Sequence, residues 1–189
     1  NLRPPVLDQG LVAAVQWLAE NFERRTGITV RLHSRAAALA LAADMVVATP
    51  RARFCMSFLR IGFVPDCGAL FTLPRVVGVQ RAREIMLSAR EVGAEEALRL
   101  GIAMELVPPE DLQARARALA ASFVNASPMA VSLIKRALAV PGAGLPELLD
   151  MEADAQALAA GTTEHKAAVQ RFLAKEPTLF HWPVAPAAP

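Results

Sequence analysis

The chain has 189 residues, 54% hydrophobic and 20% charged, with 20 basic against 18 acidic side chains. A chain of this size buries roughly 70% of its unfolded surface, which excludes disorder for most of it. A net charge of +2, 5% aromatics and no Tyr give no basic cluster with interleaved aromatics, which argues against a nucleic-acid partner.

Residues 1–7 read as extended. Asp8 can cap a helix over 8–25 with Leu11, Val12, Val15, Leu18, Ala19 and Phe22 on one stripe, and Thr26-Gly27 ends it. Ile28, Val30 and Leu32 alternate with polar residues as a half-buried strand expected to pair beside Met45–Ala48. Ser34 can cap a helix from Arg35 to Ala43. Short strands follow at Met45–Ala48 and Ala52–Met56. Residues 57–69 mix Gly62, Pro65, Asp66 and Gly68 with large apolar side chains, the pattern of a structured loop. Helices resume at Cys67 and at Gln80–Ala89, then a short one between Gly93 and Gly101, and Ala103–Val107 reads as a last strand. The rest is helical, over 110–124, 128–139, 145–160 and 162–175, with a frayed Pro/Ala tail from Pro183.

The 38 alanines favour helix. No apolar run is long enough to cross a bilayer and no signal peptide is visible, so a cytoplasmic protein away from membranes is expected. Cys55 and Cys67 have neither metal spacing nor a disulfide framework, and the three histidines are dispersed, so no metal is expected.

From Ser34 to Phe180 the chain resembles the crotonase family, the enoyl-CoA hydratase/isomerase superfamily. The resemblance rests on Ala40–Ala48 around Asp44, on Arg53-Phe54, and on Arg60-Ile61-Gly62-Phe63-Val64-Pro65-Asp66-Cys67-Gly68. It continues through Leu73–Gly78, Ala94–Gly101, Val107-Pro108, Lys135–Leu138 and Ala168–Lys175, in family order and spacing. The resemblance implies an α/β, crotonase-like (ClpP/crotonase) spiral fold, incomplete because the family's opening strands have no match, with a helical C-terminal region. Residues 1–33 are instead similar to a segment of sensor histidine kinases. The expected regions are that appendage over 1–33, a truncated core over 34–125, an oligomerising helical region over 126–182 and a disordered tail over 183–189.

Crotonases stabilise a thioester enolate with two backbone N–H groups, one at a helix N-terminus. The resemblance places one donor stretch at Ser34-Arg35-Ala36, with Arg35 where the family has Gly. The amides of Arg35 and Ala36 are therefore oxyanion-hole candidates, and capping by Ser34 is the plainer alternative. The family's other donor segment has no match here, which implies a low rate. The two glutamates that hydratases use align with Ala38 and Phe58, so hydration is not expected. Asp66, in Val64-Pro65-Asp66-Cys67-Gly68, matches a turn whose aspartate shuttles a proton in isomerases similar to those of phenylacetate degradation. Phe58 and Phe63 beside it suit general acid–base work. Asp66 is also read as the N-cap of the helix expected from Cys67, a role compatible with catalysis. Cys67 is a pocket-lining or, more plainly, a buried inert thiol.

The resemblance places Lys175 where the family often has a basic residue near the coenzyme A phosphates; a solvated helix-end lysine is the plainer alternative. The implied protein binds an acyl-CoA as substrate, needs no cofactor, and forms a homo-oligomer, a trimer or hexamer, through the stripes Leu148, Leu149, Leu158 and Val169, Phe172, Leu173. Two rivals stand beside this isomerase reading: a remnant that has lost catalysis and serves as a structural or binding protein, and a signalling module related to histidine kinases.

Overall fold

The computed structural model describes residues 33–140 and 142–184. The helix expected over 8–25 and the strand over 28–32 lie outside them. The chain divides into two compact units between Leu112 and Gln113.

The first unit begins with α1 (His33–Ala40), followed by β1 (Val47–Ala48), β2 (Arg53–Cys55) and a 3₁₀ helix (Ser57–Ile61). Then come α2 (Ala69–Val77), α3 (Val79–Ser88), β3 (Glu91–Gly93), α4 (Ala94–Arg99) and β4 (Glu105–Leu106). Strand β1 pairs in parallel with β4, Val47 opposite Glu105 and Ala48 opposite Leu106. Flanking bonds from Met104 N–H to Val46 O (2.8 Å) and Val107 N–H to Ala48 O (2.9 Å) extend that ladder. Strand β2 pairs antiparallel with β3, Phe54 opposite Val92.

The helix expected over 35–43 already contains Ser34 and stops at Ala40. Beyond it Ala42 and Ala43 donate to carbonyls three residues back, a tightened last turn rather than more α-helix. The N-cap position therefore lies before Ser34 rather than at it. Strand β3 was not legible: Val92 is its one large apolar residue, flanked by Glu91 and Gly93, and its pairing with β2 supplies what periodicity does not.

Leu73, Ile85 and Val92 are the largest fully buried side chains, with Ala37, Ala38, Ala82 and Ala97 around them. Small residues at those positions let α1, α3 and α4 approach the centre closely. Helices α2 and α3 meet at Gly78, whose φ of 78° and ψ of 156° only glycine adopts without strain.

The second unit holds α5 (Leu112–Ser122, with Leu112 at the boundary), a 3₁₀ turn (Phe123–Asn125), α6 (Pro128–Ala139), α7 (Leu145–Ala160) and α8 (Thr163–Leu173). Ser127 caps α6 by accepting from the Ala130 N–H at 3.3 Å, with Pro128 opening the helix. Thr162 caps α8 by accepting from His165 N–H at 3.2 Å. Helix α7 packs on both α6 and α8. The Phe123 ring meets Phe180 (5.9 Å between centroids) and, edge-on, Trp182 (6.1 Å). Arg115, a buried charged residue, donates to the Val184 carbonyl at 3.2 Å. No single helix among the described residues is long and apolar enough to cross a membrane; α5 and α6, bent by 114°, reach that length only as a pair.

Candidate functional site

The loop carrying Asp66 is anchored at one end and open at the other. Phe58, in the 3₁₀ helix, is only 5% exposed and holds the segment to the core. Gly62, left-handed at φ 71°, ends that helix as its N–H and that of Phe63 return to the Leu59 and Phe58 carbonyls. Beyond the bend Phe63 is 65% and Val64 70% exposed.

A tight turn follows, closed by the Ala69 N–H donating to the Asp66 carbonyl at 3.0 Å. Both central residues are left-handed: Cys67 at φ 53° and Gly68 at φ 77°. Two successive residues of that hand make a type I′ turn, which glycine fills freely and a cysteine only with strain. Gly68 caps α2, and its carbonyl accepts from the N–H groups of Phe71 and Thr72, each at 2.9 Å.

Three expectations are corrected here. The helix starts at Ala69 rather than Cys67, its N-cap is Gly68 rather than Asp66, and Cys67 is exposed rather than buried. Asp66 is also exposed. Phe58 turns inward and Phe63 outward.

Ala38 is fully buried and Phe58 nearly so. Neither position holds an ionisable group. Arg35 and Ala36 fall in the first turn of α1; at the third position the Arg35 N–H lacks an acceptor within the helix, whereas at the fourth that of Ala36 does not. Helix α1 packs against the 3₁₀ helix and α2, so the elements bearing Arg35, Ala36, Ala38 and Phe58 adjoin those bounding the Asp66 turn. Lys175 belongs to the second unit. It follows α8 in a left-handed conformation (φ 58°), exposed, with its N–H on the Phe172 carbonyl at 3.1 Å.

An apolar cavity of about 10 Å³ lies in the first unit among Ala37, Phe54, Leu73, Ile85, Val92 and Ile102. That is room for about one water and no acyl chain; Asp66 does not line it. Cys55 does, with its thiol donating to the Ala89 carbonyl at 3.3 Å. The same carbonyl accepts from Arg60 at 2.6 Å. Burial pushes the Cys55 thiol's pKa up; Arg60 opposes that shift and Glu91 adds to it. A thiol held protonated and buried is structural.

Sequence reasoning missed the ionic corner of the first unit. Arg90 Nε and Nη2 reach Glu84 at 2.5 and 3.0 Å, while Nη1 and Nη2 reach Glu96 at 2.8 and 2.7 Å. Hydrogen bonding to Arg90 holds the Glu84 carboxyl down to about 2, and the same arginine lowers Glu96. Both carboxylates raise Arg90. The three residues are six apart on α3, the approach to β3, and α4, a spacing that matches no helical pairing rule.

The fold defined here is crotonase-like, in an incomplete form. The profile described as Enoyl-CoA hydratase/isomerase matches residues 36–182. The chain belongs to the enoyl-CoA hydratase/isomerase family. It is similar to a probable enoyl-CoA hydratase of Rhodobacter capsulatus, 41% identical over 143 residues, covering 75% of this chain and 56% of the relative. It is 36% identical over 145 residues to the 1,2-epoxyphenylacetyl-CoA isomerase of Escherichia coli, covering 76% of this chain and 55% of that protein. Among solved structures, an enoyl-CoA hydratase/isomerase from Cupriavidus metallidurans superposes with a TM-score of 0.79 at 41% identity, covering 95% of this chain and 73% of that one. The chain thus spans about half the length of the curated relatives it matches. The histidine-kinase likeness of residues 1–33 finds no support: the family match starts just after it.

Proposed function

We propose that this chain binds an acyl-CoA thioester and shifts a double bond through its enolate, as an enoyl-CoA isomerase, without a further cofactor. One observation carries the reading. The two positions that align with the hydratase glutamates are Ala38 and Phe58, both buried and neither able to hold a proton. Hydration needs a placed water and, in the family pattern, two carboxyls. A double-bond shift needs one carboxylate that takes a proton from one carbon and returns it at another.

Asp66, presented on the turn before α2, is the candidate for that carboxylate. The amides of Arg35 and Ala36, in the first turn of α1, are the candidate donors to the thioester oxygen, aided by the helix dipole. Lys175 is the candidate contact to the coenzyme A phosphates. The isomerase named among the relatives supports this reading, while the hydratase relative keeps the other chemistry in view.

The test is a side-by-side assay of 3-enoyl-CoA isomerisation and 2-enoyl-CoA hydration, with Asp66→Asn as control. Isomerisation should exceed hydration and fall at least about a hundredfold in the variant. Hydration in excess, or full activity in Asp66→Asn, removes Asp66 from the mechanism.

A second reading, a binding protein without catalysis, is favoured by the exposure of Asp66. Both readings include self-association. Leu149, Leu158, Val169, Phe172 and Leu173 all remain exposed on α7 and α8, and apolar faces of that extent are ordinarily covered. A trimer or hexamer by light scattering is the expected result, and a monodisperse monomer at micromolar concentration overturns it.

A further inference from the structure

The Asp66 turn is held at its far end by Ala69, fully buried at the start of α2. Its near end leaves the 3₁₀ helix, whose Phe58 side chain is sunk in the core. A single buried side chain fixes how deep so short a helix sits, but leaves it free to turn about that point. Arg60, two residues further on, supplies a second fixed point. Its Nη2 donates to the Ala89 carbonyl at 2.6 Å, across 29 residues of sequence. Helix α3, which Ala89 ends, packs on the 3₁₀ helix.

The acceptor suits the donor. Ala89 is buried and ends α3 in the left-handed conformation, at φ 50°. Carbonyls at a helix C-terminus lack partners within the helix and carry the negative end of its dipole. A guanidinium there makes a charge-assisted bond, shorter and stronger than a neutral one. The Cys55 thiol shares this carbonyl at 3.3 Å, so the carbonyl keeps a partner when Arg60 is replaced.

We propose that Arg60 is a positioning residue for Asp66: its bond to Ala89 sets the direction in which residues 62–68 leave the 3₁₀ helix. The role rests on the reading of Asp66 as the proton carrier. The Gly62 and Phe63 N–H groups return to the 3₁₀ helix at 3.1 and 3.0 Å, and the Asp66 carbonyl accepts from Ala69 at 3.0 Å. Those bonds tie the bend to the helix and close the turn, so a rotation of the 3₁₀ helix is carried toward the carboxylate. A shift of about 1 Å at a reacting group costs up to about a hundredfold in rate.

The test is a double-mutant cycle of Arg60→Met and Asp66→Asn, assayed by 3-enoyl-CoA isomerisation. Arg60→Met should lower kcat at least about tenfold with KM unchanged, and Arg60→Lys, which keeps a donor, should recover most of that loss. In the Asp66→Asn background Arg60→Met should cost nothing further, because the two residues act as one unit. An equal loss in both backgrounds, or no loss in the native one, overturns the proposal. Full activity in Asp66→Asn alone is a separate failure: it removes the Asp66 reading, and the positioning role falls with it.

Hydrogen exchange gives a readout that needs no turnover. In Arg60→Met the amides of Gly62, Phe63 and Ala69 should exchange about tenfold faster, while the β2–β3 ladder is unchanged. Unchanged loop amides overturn the proposal. So does faster exchange that spreads to the ladder, which makes Arg60 a general stabiliser of the unit.

Discussion

Two corners of the first unit use their polar groups in opposite ways. At Arg90 five N–H donors are used on the Glu84 and Glu96 carboxylates and the Glu91 carbonyl, tying α3, β3 and α4 together. At the Asp66 turn the backbone closes on itself while side chains face outward, apolar ones included. The first corner fixes the relative placement of elements. The second is the one with chemistry to offer, and it stands only because Phe58 anchors one end and Gly68 lets α2 start abruptly at the other.

The sharpest way to break the comparison is to remove the anchor. Phe58→Ala empties a core site and should cost about 3–5 kcal/mol by urea denaturation. It should also raise hydrogen exchange over 57–68 while leaving the Glu91–Gly93 ladder protected in the native state. Uniform exchange throughout would mean that the loop has no local anchor.

Next in size is Arg90→Leu, which leaves two carboxylates facing each other without a cation. The partners are about one-third exposed, so the expected loss is about 1–2 kcal/mol rather than that of a buried pair.

The pH dependence sharpens the same point. Glu84 is lowered from 4.5 to about 2 by its bonds to Arg90, and Glu96 is lowered too. A depressed carboxyl adds stability that is fully present above its unfolded value and is lost as pH falls through the folded one. Stability should therefore decline between about pH 4.5 and 2 in the native chain and less steeply in Arg90→Leu, to an extent that salt reduces. Equal slopes would show that the corner contributes no linkage.

The smallest effect belongs to the turn. Cys67 is left-handed at φ 53° with an exposed side chain, so Cys67→Gly should stabilise by about 0.5–1 kcal/mol, read as a raised urea midpoint. A loss of stability would mean that the backbone entropy cost of glycine exceeds the strain relieved.

Most helices were legible because their caps and breaks are written in the sequence: Ser127-Pro128 before α6, Thr162 before α8, Gly78 between α2 and α3. The two-residue strands were harder. Val47–Ala48 was placed because it is apolar, but its partner at Glu105–Leu106 is set by the packing of distant elements. That Asp66 lies in a turn was readable from Val64–Gly68; that Gly68 rather than Asp66 caps α2 was not. Its exposure was not, since that depends on Phe63 turning away from the core while Phe58 turns in. The Arg90 corner was invisible because three side chains at a spacing that matches no helical pairing rule meet only after their elements have packed.

The central claim, that one carboxylate at Asp66 moves the proton of a bound thioester, is tested most directly by exchange rather than turnover. A saturated acyl-CoA has no double bond to shift or hydrate, yet forming its enolate exchanges the proton next to the carbonyl. Incubated in D₂O and followed by mass spectrometry, the native chain should incorporate deuterium at that carbon, and Asp66→Asn should do so at least about a hundredfold more slowly. Exchange at the same rate in both chains would contradict the account.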